Sequence, residues 1–182
     1  EKHMATGLVA TSTITHATPA SFAAHVDYRK KEREIAIQYA NQEIDIILGG
    51  GKKFWPDSLI LEYEKRGAQF IDNINTPLEN DKRVLGLFAN KALGKAYEGR
   101  TPTTTEMAKL AIGKLEKNPN GFFVMIEESQ VDWGGHSNNA DYIKGEMASL
   151  NDLINYALDY QNTHPDVLVV LTADHECGGV SV

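Results

Sequence analysis

The chain has one cysteine, Cys177, so no internal disulfide can form. It lacks an apolar run long enough to span a membrane. It lacks a basic surplus too. Eighteen Lys and Arg face 25 Asp and Glu, for a net charge of −7, which leaves no electrostatic footprint for nucleic acid. No signal peptide, internal repeat, low-complexity tract or linker is visible. What remains is ordinary for a globular protein: 42% hydrophobic residues and 24% charged, in 182 residues, enough for one domain with a sizeable core.

Two apolar runs organise the chain. Phe122 to Ile126 is bulky and unbroken, as suits a strand buried on both faces of a parallel sheet. Glu127, Glu128, Asp132 and His136 follow at once, with Gly134 and Gly135 as a flexible link between the last two. Val167 to Ala173 repeats the design, and Asp174 and His175 stand at its carboxyl end. Open α/β sheets bind ligands outside the carboxyl ends of their strands. Carboxylate with imidazole is a competent ligand set for zinc. The same residues also suit a surface loop and a turn, and pattern alone does not decide between them.

The rest alternates strand and helix. Ala5 to Thr11 reads as a strand and Ser12 to Ala17 as a polar connection. Thr18 and Pro19 open a helix, as capping hydroxyl and first-turn proline, running at least to Arg29 with His25 on its apolar side. Lys30 to Glu34 is a solvated charge run, and Ile35 to Ala40 stays helical. Ile44 to Leu48 is a strand, and Gly49 to Gly51 is a tight turn, since a phosphate-binding loop would need other spacing and a closing Ser or Thr. Ser58 to Arg66 is a helix capped by Ser58 and stopped by Gly67. Gln69 to Ile71 and Val84 to Phe88 are strands, and Asn90 to Pro102 is an irregular basic surface segment. Thr103 to Glu106 is a capping box for a helix carrying Met107, Leu110, Ala111 and Leu115. Asn139 to about Gln161 is a long helix burying Tyr142, Met147, Leu150, Leu153, Ile154, Ala157 and Leu158. The predicted class is α/β, a three-layer sandwich around a mainly parallel sheet.

Four ordered stretches carry a family resemblance: Thr15 to Ala20 (THATPA), Ile47 to Phe54 (ILGGGKKF), Phe122 to His136 (FFVMIEESQVDWGGH) and Thr172 to Gly179 (TADHECGG). Together they resemble the alkaline phosphatase family over nearly the whole chain. The resemblance implies hydrolysis of phosphate monoesters through a phosphoserine, with two Zn2+ and one Mg2+. Asp132 and His136 resemble ligands of the first zinc, and Asp174 and His175 ligands of the second. Thr18 and Glu127 resemble the protein ligands of magnesium, which prefers oxygen. Arg29 aligns with the phosphate-clamping arginine, whose fork offers two parallel donors. Two positions depart from common members. His16, near the magnesium waters, stands where others have Asp or His. Trp133, at the substrate side, stands where many have Lys or His, and its indole N–H either donates a hydrogen bond or its ring covers the site. Cys177 stands where threonine is common and receives no chemical role.

The resemblance further implies that residues 1–182 are an internal piece of the catalytic domain, incomplete at both ends. The nucleophilic serine and a bridging aspartate would lie upstream, and a further zinc histidine downstream. The piece alone is expected to be inactive. Phosphate monoester and inorganic phosphate are the expected partners. A homodimer and a periplasmic or secreted location are implied for the intact parent. The alternatives are a phosphodiesterase or sulfatase of the same superfamily, or a non-catalytic relative. The magnesium pair Thr18 and Glu127 favours the monoesterase over the first two.

Overall fold

The computed structural model describes residues 3–177. Five parallel strands form one sheet in the order β3-β4-β2-β1-β5. These are β1 (Ala5–Thr13), β2 (Ile46–Gly50), β3 (Ala68–Ile71), β4 (Arg83–Leu87) and β5 (Phe122–Glu127). Six helices connect and follow them: α1 (Ala17–Ser21), α2 (Glu32–Ala40), α3 (Asp57–Lys65), α4 (Thr104–Leu115), α5 (Gln130–His136) and α6 (Ala140–Thr163).

Period-two alternation divides the core between the two faces of the sheet. Leu8, Ala10, Ile47, Leu85 and Leu87 meet Ile35, Tyr39, Ile60 and Tyr63 from α2 and α3. Val9, Ile46, Leu48 and Val84 meet Met107, Ala111 and Leu115 from α4. The predicted three layers follow from this. Each fully buried Ile or Leu contributes about 1.5–3 kcal/mol relative to exposure. α4 begins at the predicted capping box: Thr103 Oγ1 accepts from Glu106 N at 3.1 Å, and Glu106 Oε2 accepts from Thr103 N at 2.7 Å.

Several sequence expectations change. The helix opened by Thr18 and Pro19 is only α1. It begins at Ala17 with His16 at the cap position, so Thr18 is not its cap. The chain then runs irregularly through Arg29 until α2. A proline in the first turn fixes a start, but residues 22–31 have no continuous apolar stripe to prolong a helix. His25 is exposed rather than packed in the core. α3 starts at Asp57 with Pro56 at the cap position, so Ser58 lies inside the helix. The segment Asn90 to Pro102 is not all surface, because Leu93 and Arg100 are each 5% exposed. In α6 only Tyr142, Glu146 and Leu153 are buried, and Met147 and Leu158 face solvent. α6 packs on helices α4 and α5, and a helix-to-helix seam covers a narrower stripe than a helix on a sheet.

The two organising runs also differ from expectation. Among the described residues β5 is an edge strand, paired only with β1, so Phe122 to Ile126 is half-buried and Phe123 is 48% exposed. Val167 to Ala173 forms no strand. No ladder holds it among the described residues, and Leu168, Val170 and Leu171 lie exposed. Apolar β-branched composition supplies the propensity, but a strand exists only through its pairing.

Candidate metal centre

All five strands run the same way, so their carboxyl ends share one edge. β1 and β5 are neighbours there, with Ala10 opposite Glu127. The connection after β1 carries His16 and Thr18, and the segment after β5 carries Asp132, Trp133 and His136. Predicted site residues more than a hundred positions apart thus meet because two parallel strands are adjacent.

The segment after β5 is a helix, α5, not the expected flexible loop. Asp132 and His136 stand four apart, hence on one helical face. His136 Nε2 is 3.3 Å from Asp132 Oδ1. Gly134 and Gly135 serve close approach rather than flexibility. A Cβ on Gly134 would meet Ile143 of α6 at 3.0 Å, and one on Gly135 would meet Cys177 Cβ at 3.0 Å.

Asp174 and His175 reach the same place without a strand beneath them. His175 Nε2 lies 3.5 Å from Asp132 Oδ1 and 3.6 Å from Asp174 Oδ2. His175 Nδ1 accepts from the backbone N–H of Cys177 at 3.1 Å, which directs Nε2 toward the carboxylates. Gly178 and Gly179, expected to break the strand here, lie outside the described residues. Two ligands of one tetrahedral zinc, each about 2.0–2.1 Å from it, stand about 3.3–3.4 Å apart. His136 Nε2 and His175 Nε2 each stand close to that distance from Asp132 Oδ1, and a carboxylate with an imidazole is a zinc donor pair. The residues present therefore fit a divalent ion at Asp132. Asp174 stays largely exposed, its side chain 80% accessible.

Glu127 is half-buried, and its Oε2 accepts from Ser129 Oγ at 2.6 Å. Ser129 Oγ in turn accepts from Ser12 N at 3.2 Å, which ties β5 to β1 beside the site. Glu128 points away. It is buried with Glu146 against the guanidinium of Arg100. Thr104 donates to it at 2.5 Å and Ser149 at 3.1 Å. Burial pushes its carboxyl up to about 7 against the opposing pull of Arg100. Thr18 is half-buried after α1 begins.

Arg29, His16 and Trp133 form a second group. Arg29 Nη2 lies 3.4 Å from His16 Nε2, and the Trp133 ring stands edge-on to His16 with centroids 6.0 Å apart. Arg29 is exposed and lines a groove of about 440 Å³ with Ala17, His25, Val26 and Ile35.

Four residues that sequence reasoning passed over hold this arrangement. Gln130, 1% exposed, donates to the carbonyls of Thr11 (3.1 Å) and Leu93 (2.9 Å) and accepts from Tyr142 Oη at 2.6 Å. It pins the first turn of α5 to β1 and α6. Glu32, expected on a solvated face, accepts from Thr13 and from Thr15 (2.7 Å), fastening α2 to the connection that bears His16. Arg100 anchors Glu128. Cys177 donates to Asp132 Oδ1 at 2.6 Å, and that bond pushes its thiol up to about 11.

The family model of alkaline phosphatase matches residues 1–182, the whole chain. The chain belongs to the alkaline phosphatase family. It is 43% identical to alkaline phosphatase 3 of Bacillus subtilis, over 100% of this chain and 42% of that protein. It is 32% identical to the repressible alkaline phosphatase of Saccharomyces cerevisiae, over 96% of this chain and 38% of that protein. Among solved structures, the alkaline phosphatase of the Antarctic bacterium TAB5 matches with a TM-score of 0.82 and 34% identity. That match covers 90% of this chain and half of the TAB5 chain. A variant of the TAB5 enzyme with magnesium bound in its M3 site matches with a TM-score of 0.83 and 33% identity, over 90% of this chain and 49% of that one. The chain thus spans half or less of the length of these alkaline phosphatases.

Proposed function

We propose that this chain is the metal-binding part of a longer alkaline phosphatase that hydrolyses phosphate monoesters through a phosphoserine, using two Zn2+ and one Mg2+. The observation that supports the reading is that His136 Nε2 and His175 Nε2 lie 3.3 and 3.5 Å from Asp132 Oδ1, which brings the two predicted ligand pairs side by side on the edge where β1 and β5 end. Asp132 and His136 would hold one zinc, Asp174 and His175 the second, and Glu127 with Thr18 the magnesium. When bound, paired zinc ions activate an attacking oxygen and stabilise a leaving one.

The protein's own groups do the rest. Arg29, beside His16, presents two parallel donors to two phosphate oxygens. Trp133 covers His16 with its ring edge and offers no charge to phosphate. Ser129 orients Glu127 by its hydrogen bond. The nucleophilic serine comes from outside residues 1–182. Ser12 and Ser129 are buried and bonded to each other's neighbourhood, and Ser58 lies within α3. A periplasmic or secreted location and a homodimer belong to the same proposal.

The test is zinc content and monoesterase turnover of the longer protein with Asp132→Ala or Asp174→Ala. Loss of zinc together with most of the turnover is expected. Full zinc occupancy with an unchanged rate would overturn the assignment. Faster turnover of a phosphodiester or sulfate ester than of a monoester by the unaltered protein would move it to another reaction.

A further inference from the structure

We infer that Gln130 is a positioning residue for the metal centre: its buried amide sets the depth and rotation of α5, and so where Asp132 and His136 stand. This rests on the reading of Asp132 and His136 as ligands of one zinc, and adds what holds them in place. α5 has seven residues, and no side chain caps its start. So short a helix does not hold itself in water and takes its place from what it packs against. At about 100° per residue, Gln130 and Gly134 fall on one side of α5 and Asp132 and His136 on the other. Gln130 and Gly134 are the two buried residues of this helix. Glycine offers no side chain, so no apolar side chain anchors that side, and apolar contact is non-directional in any case.

The amide supplies the direction. Its Nε2 donates to the carbonyls of Thr11 in β1 at 3.1 Å and of Leu93 at 2.9 Å, which uses both donors of the NH2 group. Its Oε1 accepts from Tyr142 Oη in α6 at 2.6 Å. The partners are themselves held. Leu93 N donates to Thr11 O at 3.0 Å, and the Tyr142 ring stands edge-on to Tyr97. Three directed bonds to three segments leave α5 little freedom to roll. A roll would carry Asp132 and His136 with it, and metal–ligand distances tolerate only about 0.2 Å.

The test is zinc binding by the longer protein, titrated against a chelator that buffers free Zn2+, with unfolding of the metal-free samples measured alongside. Gln130→Met keeps the length of the side chain and removes all three bonds. It should weaken one zinc site about tenfold or more, the scale on which groups behind metal ligands act. The site proposed at Asp174 and His175 should change far less, because α5 does not carry those residues. Ile60→Ala, which empties a core position in α3, supplies a destabilised variant that should keep both affinities. Unchanged affinity in Gln130→Met, equal weakening of both sites, or the same loss in Ile60→Ala would overturn the positioning role. If Gln130→Met does not fold, Tyr142→Phe removes one bond of the three and should weaken the same site by a smaller factor, and an unmoved site would overturn the role. An unaltered protein that binds no zinc would overturn the metal centre itself and this role with it.

Discussion

At the scale of single residues, Arg29 shows how a charge inside a charged run can have a specific neighbour. Exposure alone would make it one more solvated cation, yet its guanidinium meets His16. Arg29→Ala in the longer protein should raise the inhibition constant of inorganic phosphate by about 10–150-fold, the equivalent of about 1.5–3 kcal/mol of charge-assisted hydrogen bonding. Bound metal, measured alongside, should stay constant. Unchanged inhibition would return Arg29 to the solvent. His16→Asp and Trp133→Lys should alter activation by Mg2+ more than thermal stability, since each side chain contacts the other beside the predicted ligands. Superimposable magnesium titrations would reduce both to packing. Asp132, His136 and His175, which meet at the carboxyl edge of the sheet, stand out in the sequence through its ordered motifs. Their supports do not. Glu32 reaches Thr15 across 17 positions, Arg100 reaches Glu128 across 28 and Gln130 reaches Thr11 across 119, and no local pattern records a partner that distant.

At the scale of elements, the buried cluster under α4 and α6 is the most consequential polar feature. Arg100 neutralises Glu128 and Glu146, whose side chains are at most 2% exposed. One guanidinium between two carboxylates leaves an excess negative charge when both are ionised. Arg100→Ala would leave two buried acids unpaired and should destabilise the fold by about 3–5 kcal/mol, measurable by urea unfolding. The sign of the pH effect follows from Glu128. Its carboxyl is raised from 4.5 to about 7 in the folded chain, so the folded state holds this proton longer than the unfolded state. Stability from this group is full below about 4.5 and is lost as pH rises through 7. Unfolding of the unaltered chain from pH 5 to 8, referenced to Glu128→Gln, should show that decline, and a flat or rising difference would refute it. The elements were legible wherever periodicity was strong, as in α4 and β2. They were misread where pairing or length decides. Val167 to Ala173 has strand composition and no partner, and the Gly134–Gly135 pair sits in a helix because α6 and Cys177 press against it.

At the scale of the whole molecule, the parallel sandwich followed from alternating strand and helix, and the strand order did not. Short-range pattern cannot say that the first strand lies between the second and the fifth. The same scale carries the prediction about the chain as it stands. Supplied with Zn2+ and Mg2+, residues 1–182 should turn over phosphate monoesters no faster than background, because a covalent nucleophile is missing from the proposed site. Ordinary turnover by the purified chain would mean that a nucleophile lies within these residues. The placement of β1 has one more consequence, for synthesis on the ribosome. Ala5 pairs with Phe122, so one side of β1 must wait for chain not yet made. At ordinary elongation rates that wait is roughly 6–23 s. For that time the strand bearing Leu8 and Val9 offers an open template to any neighbouring nascent chain, and slowing translation between β1 and β5 should lower the soluble yield.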